Sequence, residues 1–501
     1  MLLRSLLKQI RVLDILGGDP DTEILSVAYD SRKVRRGCLF IGKGFEFDPA
    51  YAADAASNGA SAVVLEPGID IELPKEVVLI RVPDTREALA LLSAAFYDFP
   101  SRKLMLAGVT GTKGKTTTTS MIYSAAEHAG LKAGLIGTIE NRIGSEVQYA
   151  ERTTPESLDL QSLLDEMVRQ QVGLAAMEVS SQGLQYHRVT GCDFNVGVFT
   201  NITRDHIGPG EHKDFDEYVK AKAKLFRMCK KGAVNADSEH AGTIIGQADC
   251  EQLVTFGIQN PAGIRAMNIE KLSGGTAFDV VTPWWEGRIR MDLIGSFNIY
   301  NALAAISACG LMGLPMEAVQ KGLGHVRVKG RTEPVPTGRD FSILIDYAHN
   351  AISLESLLLT IREYARGRVI CLFGCGGDRD PARRFEMGEV SGRLADFSII
   401  TSDNPRTEDP ERILDHIETG IRRTQGGYIR ITDRTSAIRY AILNARKDDI
   451  IILAGNDHES YQIFKDKTIH YDEREIAAKI LAEPGMADER RIPAEPDMER
   501  Q

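Results

Sequence analysis

The heptapeptide Gly111-Thr112-Lys113-Gly114-Lys115-Thr116-Thr117 stands between an apolar run, Leu104 to Val109, and a stretch of helical composition, Met121 to Ala129. A strand that passes into a helix through a glycine-bounded loop opens an α/β unit, since the helix must cross back before a parallel strand can pair. The loop also carries a chemistry. Its backbone amides and the helix N-terminus can cradle phosphates, Lys115 can reach β and γ oxygens, and Thr116 can hold Mg2+. The strict phosphate-loop pattern has glycine at position 109, where this chain has Val109. The loop is therefore a variant, and on its own an ordinary glycine turn stays an alternative.

Two further apolar runs follow, Val172 to Val179 and Asn195 to Thr200, each ending in polar residues: Glu178, Ser180 and Ser181 after the first, Thr200 and Asn201 after the second. Parallel sheets collect ligand-binding residues at the carboxyl ends of their strands. Glu178 and His206, the latter in Asn201-Ile202-Thr203-Arg204-Asp205-His206, thus fall beside the phosphate loop. A carboxylate and an imidazole there suit a second Mg2+; the plainer reading makes Glu178 a helix cap and His206 a satisfied polar residue. Tyr218 to Phe226 has the pattern of an amphipathic helix whose lysines ordinarily form a solvated face.

At 501 residues the chain is too long for one ordinary core, and roughly 100 to 200 residues per domain suggests about three. A small α/β unit of short strands, turns and the alanine-rich helix Ala50 to Gly59 ends near Pro100. A third region opens near Gly330, where Ser342 to Ile345, Val369 to Phe373, Phe397 to Thr401 and Ile450 to Ala454 alternate with helices. The expected domains are 1–99, 100–329 and 330–501, the middle one built on a parallel phosphate-loop sheet and the last doubly wound. The tail from Glu483 is charged and proline-containing, and reads as a loose end.

A net charge of -10 and pI near 5.6 argue against a nucleic-acid or anionic-membrane surface, while leaving room for a local basic pocket. The seven cysteines, Cys38, Cys192, Cys229, Cys250, Cys309, Cys371 and Cys375, include no CxxC pair and read as buried thiols of a reducing compartment. The leucine-rich start, Leu2 to Ile10, is broken by charges, and no run reaches the roughly 18 apolar residues of a membrane span. The expected location is the cytoplasm.

Later clusters are individually weak: Gly295-Ser296-Phe297-Asn298 with Asn301, Gly330-Arg331-Thr332-Glu333, and Asp346-Tyr347-Ala348-His349-Asn350. Their order carries more weight. Together with Asp30-Ser31-Arg32 and Val34, the GTKGKTT loop, Thr153-Thr154-Pro155, Met177-Glu178-Val179-Ser180-Ser181, Ala221-Lys222, GCGGDRD (Gly374 to Asp380) and Asp403-Asn404-Pro405-Arg406, nearly the whole chain resembles the Mur ligase family. Within it the match is to the branch that adds the third amino acid to a UDP-linked muramoyl dipeptide.

The resemblance implies a three-domain α/β fold and an ATP-dependent amide ligase of peptidoglycan synthesis. It implies that Ser31, Thr153, Thr154, Ser180 and Arg188 contact the UDP-sugar substrate. ATP falls to Gly111, Thr112, Lys113, Gly114, Lys115, Thr116, Thr117, Asn298, Asn301, Arg331 and Asp346. Thr116, Glu178, His206 and Lys222 serve Mg2+, with Lys222 carbamylated by CO2, and Lys115, Glu178, His206 and Lys222 form the catalytic set. Arg379, Asp403, Asn404, Pro405, Arg406, Gly455 and Glu459 bind the incoming amino acid. In the family this DNPR sequence marks users of meso-diaminopimelate, whose second carboxylate needs a fixed cation, here Arg406. L-lysine or another diamino acid is the alternative, and so is a loop pairing of Arg406 with Glu408 or Asp409. Because water would hydrolyse an acyl-phosphate intermediate, the last domain is expected to close before chemistry, and the expected state is a monomer.

Several positions depart from the family pattern. Asn456 and Asp457 stand where lysine and glycine are usual, Ile207 to His212 replaces the customary stretch after His206, Asn350-Ala351-Ile352 replaces threonine and proline, and Tyr186 sits where glutamine is frequent. A ligase adding glutamate to folate shares the GTKGKTT loop but lacks both the Asp30-Ser31-Arg32 domain and the DNPR motif. A non-enzymatic phosphate-loop switch is the alternative of another class.

Overall fold

The structure is a computed structural model and describes residues 1–44, 47–204, 207–208, 211–272, 275–324, 326–455 and 461–483. Of the expected site residues, His206 and Glu459 lie outside these, as do the substituted positions Asn456 and Asp457 and the tail beyond Glu483. The chain divides into two compact units: Met1–Asn268 with Phe278–Arg290 and Phe297–Val326, and Ile269–Ala277 with Met291–Ser296 and Arg327–Gln501. Among the described residues, no helix is long and apolar enough to cross a membrane.

The first unit begins with a five-stranded sheet in the order β1-β5-β4-β3-β2: β1 (Asp14–Leu16), β2 (Ser26–Ala28), β3 (Cys38–Ile41), β4 (Ala60–Leu65) and β5 (Val78–Arg81). Both faces of the inner strands β3 and β4 are covered, and these read as apolar runs, whereas the edge strand β1 is exposed along its length. Leu39 and Ile41 of β3 join one core with Leu89 and Leu92 of the helix Thr85–Phe96, while Cys38 and Phe40 join the opposite core with Ala52 and Ala55.

Its second sheet runs β16-β15-β14-β13-β12-β11-β6-β10-β7-β8-β9. The strands are β6 (Met105–Thr110), β7 (Ala133–Ile136), β8 (Glu140–Ile143), β9 (Glu146–Tyr149), β10 (Leu174–Glu178), β11 (Phe194–Phe199), β12 (Cys229–Asn235), β13 (Gln252–Gly257), β14 (Ile264–Leu272), β15 (Gly275–Val281) and β16 (Glu286–Met291). Pairing is parallel from β7 through β14 and antiparallel along β7-β8-β9. The β8-β9 hairpin is an addition that the apolar runs did not announce, because β9 is exposed along its whole length.

The second unit holds a six-stranded sheet, β17-β18-β22-β19-β20-β21: β17 (Glu333–Val335), β18 (Ser342–Asp346), β19 (Val369–Phe373), β20 (Phe397–Ile400), β21 (Gly427–Arg430) and β22 (Ile450–Ala454). Only β17 is antiparallel to its neighbour. Two apolar cores cover its faces, one built on Leu354, Leu358 and Ile417, the other on Ala437, Ile438 and Ile480. A small antiparallel pair, β23 (Tyr461–Ile463) and β24 (Thr468–His470), completes it.

Two local expectations need correcting. The helix predicted over Tyr218 to Phe226 runs Phe215–Ala223 and continues as a 3-10 turn, and its lysines do not share one solvated face. Lys220 pairs with Asp216 outside, whereas Lys222 is 1% exposed. All seven cysteines are free thiols, but Cys250 is only half-buried.

Candidate active site

Register places the phosphate loop between two functional strand ends. β6 lies between β10 and β11, with Val109 opposite Glu178 and Thr110 opposite Phe199. Gly111 therefore starts its turn flanked by Glu178 on one side and Thr200-Asn201 on the other. The second flank ties the loop down. Thr112 N–H donates to the Asn201 carbonyl (2.9 Å), Lys113 N–H to Asn201 Oδ1 (2.9 Å), and Thr200 Oγ1 to the Lys113 carbonyl (2.7 Å).

The loop glycines are required by space as well as by dihedral angle. Gly114 has φ +86° and precedes the helix Lys115–His128, and a Cβ on it would lie 2.2 Å from Asn301 Oδ1. Asn301 in turn donates to Asn298 Oδ1 (3.1 Å), so the two expected asparagines form a buried pair whose Asn301 member lies against the loop. Lys115 Nζ donates to the Gly111 and Thr112 carbonyls (2.9 and 3.0 Å), folded over its own loop. Lys222 Nζ donates to the same Gly111 carbonyl (2.9 Å) and lies 4.5 Å from the Tyr218 ring centre. The Thr116 carbonyl accepts from Thr119 and Ser120.

Glu178 is fully buried. Thr138 holds its carboxylate, the N–H donating to Oε1 (2.9 Å) and the hydroxyl to Oε2 (3.1 Å), and Thr138 also reaches Thr153 Oγ1 (3.0 Å). Thr154 Oγ1 accepts from Ser180 N–H and lies 3.0 Å from the Glu178 carbonyl. The Ser180 hydroxyl caps the short helix Ser181–Gln185. A buried carboxylate beside hydroxyl-bearing residues fits Mg2+, which takes one or two protein carboxylates and completes its octahedron with phosphate oxygens and water.

Of these residues Thr153, Thr154 and Ser180 face a cavity of about 300 Å³, lined also by Lys115, Arg152, Ser181, Gln182, Arg188 and Lys222. Its floor is basic. Arg188 Nε (2.8 Å), Arg152 (3.0 Å) and Lys43 (3.0 Å) all converge on the buried Glu156 carboxylate. Burial works against that charge, yet Arg188 and Lys43, with Arg152, hold the carboxyl below the usual carboxylate range. With three cations around one anion, the cluster keeps a net positive field for an anionic substrate. Ser31, buried in a 3-10 turn capped by Asp30, is not among the lining residues; its carbonyl accepts from Asn58.

In the second unit the expected residues gather at the carboxyl ends of β18, β19, β20 and β22, where Asp346 is level with Ala454, Phe373 with Ala454, and Phe373 with Ile400. Asp346 accepts from Thr332 N–H (2.8 Å) and Ala348 N–H (2.9 Å), and Arg331 stacks 4.8 Å from the Tyr347 ring centre. Asp403, Asn404 and Pro405 are buried. Asn404 Oδ1 accepts from Ile463 N–H (2.7 Å) and its carbonyl from Gly377 N–H (2.8 Å). Arg406, at φ +52°, donates to the Gly377 carbonyl (2.7 Å), and Arg379 is exposed nearby on the same loop. Glu408 is engaged by the buried Arg384 (2.6 Å), and Asp409 caps the helix Pro410–Ile421.

Sequence reasoning overlooked Thr138, Lys43, Arg152 and Glu156. Glu156 directly follows Thr153-Thr154-Pro155, so its position was visible; its partners come from distant segments, and no local pattern announces them.

A variant phosphate loop at the head of one parallel sheet, with a second parallel sheet whose strand ends carry a polar cluster of their own, is the arrangement of a nucleotide-using α/β enzyme. The models for the Mur ligase middle domain and for the Mur ligase, glutamate ligase domain match residues 109–309 and 330–457, and the chain belongs to the Mur ligase family. It is an ATP-dependent, ADP-forming ligase. A relative from Caldanaerobacter subterraneus subsp. tengcongensis, named UDP-N-acetylmuramoyl-L-alanyl-D-glutamate--2,6-diaminopimelate ligase, is 46% identical over 95% of this chain and 99% of its own. One of the same name, numbered 1, from Clostridium acetobutylicum is 42% identical over 94% and 97%. A solved structure of a ligase with that name aligns at TM-score 0.72 and 28% identity, covering 96% of this chain and 98% of its own.

Proposed function

We propose that this chain joins meso-diaminopimelate to UDP-N-acetylmuramoyl-L-alanyl-D-glutamate in peptidoglycan synthesis, splitting ATP to ADP and phosphate. The observation that carries this reading is the cavity in which Lys115, Lys222, Thr153, Thr154, Ser180 and Arg188 converge. It joins a phosphoryl-handling loop to a basic, hydroxyl-rich pocket suited to an anionic sugar nucleotide. The named relatives, similar over nearly their whole length, point the same way.

In this reading the domains are 1–99 for the UDP-substrate, 100–329 for ATP and 330–501 for the amino acid. Arg188, Thr153, Thr154, Ser180 and Ser31 hold the UDP-dipeptide. The loop Gly111 to Thr117 with Asn298 and Asn301 cradles the nucleotide phosphates, and Arg331 and Asp346 are the second unit's ATP residues. The dipeptide's free D-glutamate carboxylate oxygen attacks the γ-phosphorus, ADP leaves, and an acyl phosphate forms. Lys115 follows the charge spreading over the transferred oxygens, a positioning and electrostatic task. The amine of diaminopimelate then attacks the acyl carbon, phosphate leaves, and the amine proton is released.

Thr116, Glu178, His206 and Lys222 are the proposed holders of Mg2+, which when bound offsets phosphate charge. For Lys222 this requires that its amine add CO2, giving a carbamate and a proton, so that a cation becomes an anionic oxygen donor. Arg379, Asp403, Asn404, Pro405, Arg406, Gly455 and Glu459 receive the amino acid. The chain works as a monomer in the cytoplasm.

Mass spectrometry of the products formed from UDP-muramoyl dipeptide, ATP and a panel of amino acids tests the assignment. The expected product carries diaminopimelate. Preference for L-lysine at equal concentrations would overturn the amino-acid choice, and no product with any member of the panel would overturn the ligase reading.

A further inference from the structure

Arg434 opens the helix Arg434–Leu443 and would ordinarily be assigned to a solvated face, yet its side chain is fully buried. Its guanidinium makes three contacts. Nε donates to Glu473 Oε1 (2.6 Å), Nη2 to the Ala454 carbonyl (2.9 Å), and Nη1 reaches the Ser402 carbonyl (3.4 Å). Glu473, itself buried, is the first residue of the helix Glu473–Leu481. Ser402 directly precedes Asp403, and Ala454 directly precedes Gly455. One side chain thus holds the backbone at both points where the proposed amino-acid residues begin.

The sheet cannot do this by itself. In the order β22-β19-β20, strand β19 separates the two ends, so no ladder hydrogen bond runs from β20 to β22. At the end of β19 sits Gly374, where a Cβ would come within 2.4 Å of the Thr401 carbonyl and 2.9 Å of Asp403 N. A Cβ on Gly455 would likewise meet the Gly374 carbonyl at 3.2 Å and Asp403 Oδ2 at 3.3 Å. Three strand ends therefore crowd together without side chains between them, and the rigid fork of Arg434 spans the outer two. Burying an ion pair is costly, and an apolar pair of similar volume packs as well or better. What an apolar pair cannot do is donate to two carbonyls at fixed separation.

We propose that Arg434, neutralised by Glu473, is a positioning residue for amino-acid selection, setting the spacing between the Asp403 to Arg406 turn and Gly455. This rests on the assignment of those residues to the amino acid. Arg434 touches no substrate; it acts through the two carbonyls.

The test uses the full-length enzyme, with Arg434→Lys and the paired apolar variant Arg434→Met/Glu473→Leu, the latter removing both buried charges together so that neither is left unpaired. The KM for diaminopimelate should rise on the order of ten- to a hundredfold, as small displacements of a binding group produce, and preference over L-lysine should fall. The KM values for ATP and UDP-dipeptide should stay within about twofold of the starting enzyme, the size expected when their contacts are untouched. If either folded variant keeps the original diaminopimelate KM and preference, or loses only kcat with every KM unchanged, the proposal is overturned. Should the paired variant not fold, Arg434→Lys decides alone. Arg406→Ala, measured alongside, separates the two ideas. An unaffected diaminopimelate KM there overturns the amino-acid site and this proposal with it, while an impaired Arg406→Ala beside normal Arg434 variants overturns only the positioning role.

Discussion

Lys115 and Lys222 place two Nζ atoms on the Gly111 carbonyl, each at 2.9 Å. Two ammonium groups that close disfavour one another, and carbamylation of Lys222 would remove the conflict while supplying an anionic donor. Lys222→Ala should be nearly inactive, and short carboxylic acids such as acetate should partly restore turnover. A fully active alanine variant, with no carbamate detected on the native lysine, would reduce Lys222 to a packing residue. Arg406 poses a different question, because the loop pairings first weighed for it are engaged elsewhere: Glu408 by Arg384, Asp409 by the helix that it caps. Its backbone is left-handed and its guanidinium donates to the Gly377 carbonyl; in the proposed reading that guanidinium grips the far carboxylate of diaminopimelate and repels the terminal ammonium of lysine. Arg406→Ala should cut diaminopimelate incorporation severely and leave the KM for ATP little changed; parallel losses in both would point to misfolding instead.

At the scale of elements, Glu156 joins three segments, since it begins the turn into the helix Ser157–Arg169 and binds Lys43, Arg152 and Arg188. Its carboxyl titrates below the usual range in the folded chain. The folded state therefore binds its proton more weakly than the unfolded state does. The stabilisation is fully present above the ordinary carboxylate pKa and is lost as pH falls through the depressed folded value. Thermal unfolding followed from pH 7 down to about pH 3 should show an acid-side loss that is smaller in Glu156→Gln, whose neutral amide does not titrate. An identical acid slope in both proteins would remove Glu156 as a source of it. The strands that lead to the site were legible in the sequence because parallel strands covered on both faces are apolar runs, as Val369 to Phe373 and Ile450 to Ala454 show. The exposed hairpin strand Glu146–Tyr149 was not, for it presents no such run. Arg384 and Arg434 were equally hidden, because an arginine in a helix looks the same in sequence whether its side chain meets water or is buried against a carboxylate from a distant segment.

For the whole molecule, the lysine proposed to follow the transferred phosphoryl charge and the arginine proposed for the amino acid belong to different compact units, Lys115 to the first and Arg406 to the second, although the proposed ATP residues Arg331 and Asp346 also belong to the second. The two half-reactions should accordingly separate by mutation. Acyl phosphate formation needs ATP and the UDP-dipeptide but no amino acid, and its reversal returns labelled ADP to ATP. Arg406→Ala should retain this dipeptide-dependent exchange while losing amide product. Lys115→Ala should lose both, because removing a contact to charge that develops in the transition state costs on the order of several kcal/mol, which at 1.4 kcal/mol per tenfold is a rate loss of roughly a hundredfold or more. A phosphate-loop switch behaves otherwise, since its ATP turnover would not depend on either cosubstrate. If exchange proceeds at full rate without the UDP-dipeptide, or if Lys115→Ala preserves it in a folded protein, the loop does not perform the phosphoryl transfer assigned to it.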